Sequence, residues 1–410
     1  MTVTRLGTAH MYDRTINNIG KQQAELASQM EHASAGKRVI RASDDPVAAA
    51  QAERARTRLE RYETDQRTLD AQTATIKYGE STLGEIYTAV QDFRSLLVQA
   101  GNGTYNQTQR DTLVEQLQSL RNQILTYSNR KDSNDLPLFR GLDTDSGTPF
   151  PNGQSGIQAG QTNSGDYSIT NSLNGALAFF SGTTGNGVLT VSRDTTSPST
   201  SWANVGTIKD PAQAAAVTTP INITFRDAGN DTVEYSTDGT TWAAYKSGEA
   251  ISVAGMDVVI TGDPRHVDNT DPNNPVITFD SYTIKPSESA SLFSVLDEAI
   301  AAVKNAGKTD GSTKYGDLAH AMAKAEAEID TQLNRISTVR GLAGDLLNQA
   351  ERMGNTLLGQ SEQVENQRSA AEDIDMVKAL SDLTTQQTAV SAALQSYTSI
   401  QKLSLFNFIN

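Results

Sequence analysis

Apolar residues recur in steps of three and four at both ends of the chain. Ala9, Tyr12, Ile16, Ile19, Gln23, Leu26 and Met30 form one series; Met376, Leu380, Leu383, Gln387, Val390, Leu394, Tyr397 and Gln401 form another. A third, Leu59, Tyr62, Gln66, Leu69, Thr73 and Ile76, lies within a longer amphipathic stretch. A repeat averaging about 3.5 residues draws one narrow stripe along a helix and asks for a partner helix. Gln23 and Gln387 interrupt the terminal stripes, which weakens either as an isolated pair and favours coiled coils completed only in a larger assembly.

Punctuation along the chain predicts the helix ends. At Ser43-Asp44-Asp45-Pro46 a long helix should start, with Asp45 accepting orphan backbone N–H groups as N-cap and Pro46 in the first helical position. It runs to about Gln99 and stops at Ala100-Gly101-Asn102-Gly103; a second helix follows from about Gln107 to Arg130. Leu292, Leu296, Ile300 and Val303 mark a short helix, and Met322, Ile329, Leu333, Ile336, Val339, Leu346 and Met353 another long one. From Pro46 to Gln99 the rise is about 80 Å, against a radius of gyration near ~22 Å for a compact globule of this length. The helical part is therefore expected to be a rod.

Between the helices the period changes. Val188–Val191, Ile221–Phe225, Thr232–Ser236, Asp257–Ile260 and Val276–Phe279 are short β-prone runs, with turn chemistry at Ala228-Gly229-Asn230 and Thr237-Asp238-Gly239. Alternation of Ile221, Ile223 and Phe225 suggests one buried face. The stretch from Gly141 to Ala178 carries no clear pattern.

Composition sharpens this division. Ten of the 11 prolines and both tryptophans lie between Leu136 and Ser287, and proline is excluded from helix interiors. The expected fold is α + β and multidomain: an elongated α-helical coiled-coil rod made from both termini, with a β-rich inserted middle domain. Its parts would be a terminal assembly helix (1–42), half of the rod (43–134), the β-rich outer insertion (135–287), the other half of the rod (288–371) and a second assembly helix (372–410). The 410 residues suit two or three domains.

Charge and chemistry exclude several functions. Thirty-four Lys+Arg against 48 Asp+Glu leave a net charge of −14, the wrong sign for a nucleic-acid partner. Cysteine is absent and the four histidines, His10, His32, His266 and His320, are scattered. No HExxH, P-loop or GxSxG sequence occurs, so no catalytic, cofactor or metal residue is assigned and no enzyme is expected. Gly182, Gly185 and Gly187 form only a loose cluster. Asp268, Asp271 and Asp280 could touch calcium, but their spacing is not that of an EF-hand. Trp202 and Trp242 could make a sugar platform, yet lone tryptophans in a strand region more often belong to a β core. No apolar run approaches the roughly 20 residues of a membrane span, so no membrane partner is expected. MTVTRLGTAHMYDRTINNIG has no secretory apolar core, which points to export without a cleaved signal peptide.

Three motifs carry a resemblance. They are ASAGKRVIRASDDPVAAA from Ala33 to Ala50, Leu97-Val-Gln-Ala-Gly-Asn-Gly-Thr104 after the first long helix, and Gln395-Ser-Tyr-Thr-Ser-Ile-Gln-Lys-Leu-Ser-Leu-Phe-Asn-Phe-Ile409 at the end. Together with the two terminal heptads they resemble the flagellin superfamily over both flanks. Pro46 after the double Asp, and an ending in Ser-Leu-Phe-Asn with a following aromatic, are similar to its distal hook–filament junction members rather than to filament flagellins. The link Gly262–Pro275 is longer than that branch usually has, and Asn134–Gly141 departs from its Gly-rich turn.

The resemblance implies a structural component of the bacterial flagellum, joining hook to filament by axial self-assembly and located outside the cell at that junction. Subunit assembly would then fall to Tyr12, Ile16, Ile19, Leu26, Met30, Leu380, Leu383, Val390, Leu394, Tyr397, Leu405, Phe406 and Phe408. Implied partners are copies of the chain, the proximal hook-associated junction protein, flagellin and a flagellar export chaperone. A filament flagellin is the alternative within the class, and an adhesin-like binding module on a helical stalk the alternative outside it.

Overall fold

The computed structural model describes residues 8–102, 105–143, 147–160, 165–194, 199–229, 232–268, 276–306 and 315–409. Helices α1 (Thr8–Ala35), α2 (Pro46–Ala100) and α3 (Gln107–Ser128) come first, followed by the short α4 (Gly175–Phe179). Strands β1 (Gly182–Thr183), β2 (Leu189–Arg193), β3 (Trp202–Ala203) and β4 (Thr207–Ile208) precede a one-turn α5 (Pro211–Ala215). Next are β5 (Ile221–Gly229), β6 (Thr232–Ser236), β7 (Ala243–Ala244), β8 (Ala250–Val253) and β9 (Met256–Thr261). β10 (Arg265–Asp268), β11 (Val276–Phe279), β12 (Ser281–Pro286) and β13 (Ser289–Ala290) complete the strands. Helices α6 (Leu292–Asn305), α7 (Tyr315–Glu372) and α8 (Met376–Ile409) follow. Helical flanks around a β-rich centre agree with the sequence reading. Residues group into two compact units: Met1–Thr68 with Met353–Asn410, and Leu69–Arg352.

The Leu69–Arg352 unit holds most of the core. Ile76, Leu83, Ile86, Val90, Phe93 and Leu97 of α2 are fully buried, as are Leu117 and Ile124 of α3 and Ile329 and Ile336 of α7. α2 and α7 run antiparallel here, since Arg340 meets Glu80 at 2.6 Å and Arg94 meets Asp330 at 3.0 Å. α2 passes unbroken through Gly79, whose missing side chain matters: a Cβ there would come within 2.9 Å of Leu173. Asn106 starts α3 and Ser291 starts α6, each with a reciprocal capping box that satisfies orphan N–H groups.

The stretch without a clear sequence pattern contributes Phe150 to an aromatic wedge on the helices, whose other members lie at or beyond its two ends. Phe139 and Phe150 meet Phe179 edge-on at 5.5 and 5.3 Å, and Phe179 and Phe180 reach Phe293 of α6 at 6.4 and 6.1 Å. Single aromatics at irregular spacing leave no period to read.

Two antiparallel sheets share the β core. One has the order β2-β12-β5-β6-β7; in the other, β9 pairs with β3, β4 and β8. Leu189, Val191, Ile223, Phe225, Met256, Val258, Ile260, Tyr282 and Ile284 fill the space between them. Arg193 and Asp280 form a buried ion pair at 3.0 Å, with side chains 1% and 0% exposed. Ser199 and Ser201 also donate to Asp280, and Arg193 reaches Asp317 of α7. Asp280 is thus committed to an arginine; among the described residues no group of three or more His, Asp or Glu could hold a metal ion. Trp242 lies under the Arg226 guanidinium at 4.2 Å, and Trp202 is half-buried on β3.

Candidate assembly surface

The terminal helices α1 and α8 pack on each other. Their links fix the direction. Gly36, at φ +66°, ends α1 in the left-handed region that glycine adopts freely, and its carbonyl accepts from Ile374 N at 3.1 Å. Arg38 N and Val39 N donate to Glu372 O at 2.7 and 3.3 Å. The end of α1 therefore meets the start of α8, and the two helices run antiparallel.

Glu372, 5% exposed, is the hub of this link. Its carboxylate takes Lys37 at 2.5 Å, Arg56 at 2.7 Å and Arg368 at 3.0 Å. Burial pushes this carboxyl up, but the hydrogen bonds from Lys37 and Arg368 and the charge of Arg56 outweigh it and hold the pKa below its ordinary value. Asp45 caps α2, accepting Val47 N and Ala48 N at 3.1 and 3.0 Å, while its other oxygen takes Arg38 at 3.2 Å. The bond from Ala48 N, then that from Arg38, draw its pKa down. Asp44 turns the other way and accepts Arg41 N and Ile40 N at 2.8 and 3.1 Å. Pro46 opens α2, and Ser43 is exposed in the turn before it. Asp375 caps α8 as Asp45 caps α2, accepting Val377 N at 3.0 Å and Lys378 N at 3.2 Å.

The two terminal stripes divide. On α1 the sheltered positions are Thr15, Ile19, Gln22, Leu26 and Gln29, whereas Ile16 and Met30 are each 51% exposed. On α8 the sheltered positions are Ala379, Leu383, Gln386, Val390, Ala393 and Tyr397, whereas Leu380 and Leu394 are 52% and 42% exposed. Ile19, Leu26, Leu383, Val390 and Tyr397 therefore serve the pair inside the chain. Ile16, Met30, Leu380 and Leu394, joined by Met376 and Val377, stand outside it. The side chains of Tyr12, Leu405, Phe406 and Phe408 lie outside the described residues.

Glu372, Arg368, Lys37, Arg56 and Asp375 were missed from the sequence. Lys37 and Arg56 lie 335 and 316 residues from Glu372, a separation that no local pattern spans. Asp375 one residue before a heptad is a cap signal of the same kind as Asp45 and could have been read.

Residues 7–144 match the bacterial flagellin N-terminal helical region, and residues 327–409 the bacterial flagellin C-terminal helical region. The chain belongs to the flagellin superfamily. Within that superfamily, flagellar hook-associated protein 3 of Escherichia coli (strain K12) is 26% identical over 409 residues, covering 98% of each chain. The protein of the same name from Salmonella typhimurium is 33% identical over 184 residues, 44% of this chain and 55% of its own. The crystal structure of hook-associated protein 3 from Legionella pneumophila superposes with a TM-score of 0.64 at 24% identity, over 77% of this chain and 98% of that one. That last likeness is one of fold.

Proposed function

We infer that this protein is a structural, non-enzymatic component of the bacterial flagellum that joins hook to filament by assembling with copies of itself. The observation that carries this reading is the end-to-end similarity to hook-associated protein 3, over 98% of both chains. The terminal pair supports it mechanically. α1 and α8 shelter one apolar side against each other and leave Ile16, Met30, Leu380 and Leu394 to water. Exposed apolar surface on paired helices suits a site of interaction, and a neighbouring copy presents the same helices.

The finer parts of the reading follow from the same likeness. The protein would meet the proximal junction protein on the hook side and flagellin on the distal side, after export in complex with a chaperone and without a cleaved signal peptide. Its place would be outside the cell. A strain lacking the gene should build hooks without filaments when viewed by electron microscopy, and the gene on a plasmid should restore them. Loss confined to one type of filament would instead make the chain a filament flagellin.

A further inference from the structure

Beside the Glu372 link, α2 and α7 leave a groove of about 510 Å³. Gln51, Arg54 and Arg58 line one side and Gln367 and Ala370 the other, with Ala48, Ala55 and Ala371 also against it. Val47, Gln51, Arg54, Arg58 and Arg61 follow one another at steps of four and three, so they share one face of α2. All five are exposed, Val47 to 68%. Among the described residues Arg54, Arg58 and Arg61 have no carboxylate partner; nearby Glu53 is held by Arg56, and Glu63 by Arg67. In a chain of net charge −14, three unpaired arginines in a row call for an anionic partner.

The chain carries a matching surface on another face of α7. Asn355, Leu358, Glu362 and Glu365 also follow at steps of three and four on α7. Leu358 is 57% exposed and Glu362 is exposed without a partner among the described residues. Nine residues separate Leu358 from Gln367, and nine separate Glu362 from Ala371; at about 100° per residue that is half a turn beyond two full ones. Over the whole wall of Gln367, Ala370 and Ala371, Leu358 and Glu362 lie about 80–180° around α7, so the acidic face with its leucine is a different face from the groove wall. One face offers a valine and three arginines; the other offers a leucine and one free carboxylate, Glu362, since Glu365 is held by Arg368 at 2.7 Å.

We propose that the α2 groove face of one copy receives the Leu358–Glu362 face of a second copy. This rests on the self-assembly reading above and gives it a direction. The two faces differ, so the contact is heterologous and each added copy leaves a fresh groove for the next, as a ring or helical layer requires. Pairing Arg58 with Glu362 also offsets the repulsion between acidic copies.

The absence of cysteine makes the test direct. A chain carrying R58C and E362C as its only cysteines should give, on oxidation of isolated flagella, a ladder of dimers, trimers and larger species. Either single-cysteine variant should give none. Charge reversal supplies the second arm: R58E and E362R should each lower recruitment to flagella by ~tenfold or more, and R58E/E362R together should recover most of it. Circular dichroism should show all these variants folded, since both positions are exposed. Dimers from R58C alone, crosslinks from E362C only to another protein, or a double reversal as poor as the singles would overturn the proposal. If the unaltered protein restores no filaments, the junction reading fails. The ladder in concentrated purified protein then still decides the contact between copies.

Discussion

The terminal pair and the Leu69–Arg352 unit use the same helical periodicity to opposite ends. In the larger unit, α2 has six large side chains with no exposure between Ile76 and Leu97. In the described part of α1 and α8, only Val390 falls to 7%. Burial stabilises by roughly 25 cal/mol per Å² of apolar surface, so the first region supports itself. The second holds together through the Glu372 link and a thin stripe interrupted by Gln22, Gln29 and Gln386. A heptad alone does not say whether its core is complete; the number of faces that find cover does.

The sharpest way to break the larger unit is through its buried charge. Removing one partner from a buried ion pair leaves an uncompensated charge, at a cost of about 3–5 kcal/mol. Asp280→Ala removes one of the two carboxylates that hold Arg193 and leaves it with Asp317, so it should lower the stability of the β domain to urea by up to about that amount. Hydrogen exchange of α1 and α8 should stay as it was; coupled loss there would merge the two regions thermodynamically.

Excision tests the same unit by removing whole segments. We propose that the middle of the chain is separable, as the sequence division at 135–287 supposes, and Thr183↔Ser289 pairing in β1–β13 shows where a short turn can close the gap. Replacing residues 184–288 by that turn should leave a cooperative helical melt. Replacing 135–287 also removes Phe139, Phe150 and Phe179, and each lost aromatic of this kind costs about 3–5 kcal/mol. A marked difference in thermal midpoint between the two deletions is expected, and equal midpoints would make the wedge irrelevant to helix stability.

Acid should loosen the regions in order. Burial pushes the His320 pKa down; the hydrogen bond with the Ala203 carbonyl raises it, and the charge of Arg193 lowers it further. With its folded pKa depressed, stability from neutral His320 is present above its unfolded value of 6.5 and is lost as pH falls below it. Glu372, also depressed, keeps its contribution down to its ordinary 4.5 and loses it only on further acidification. A stability profile by circular dichroism should therefore fall first through the His320 step, which His320→Gln should flatten. Glu372→Gln should flatten the later one. The reverse order would show that other groups control the titration.

The smallest effect on the monomer should accompany the largest on assembly. Leu394 is 42% exposed, so Leu394→Glu should change folding stability by less than ~0.5 kcal/mol. It should nevertheless block incorporation, because the charge would be buried unpaired in the assembled layer. Exchange of residues 13–40 and 372–399 should be fast in the free protein and slow in isolated flagella. Slow exchange in a monomer confirmed by sedimentation would mean that the terminal pair is already complete.

Local chemistry carried the outline. Proline placement separated helical flanks from the β-rich centre, and Asp45-Pro46 marked the start of α2 because capping depends on neighbours in sequence. The strands β5, β6, β9 and β11 were legible for the same reason: alternation and turn residues act within a few positions. The series Leu59 to Ile76 matched the sheltered side of α2, where one partner helix defines one face. At the ends, steps of three and four drew a single stripe through Ile16, Ile19, Leu380 and Leu383, and could not say which members face α1, α8 or water. Angles of about 100° between adjacent residues leave neighbouring faces close enough to share one average period. Only the packed structure separated them. Only it brought Lys37, Arg56 and Arg368 to Glu372, and Arg193 to Asp280, because buried ion pairs depend on distance in space, and the 335 residues between Lys37 and Glu372 leave no trace of it in the order of the chain.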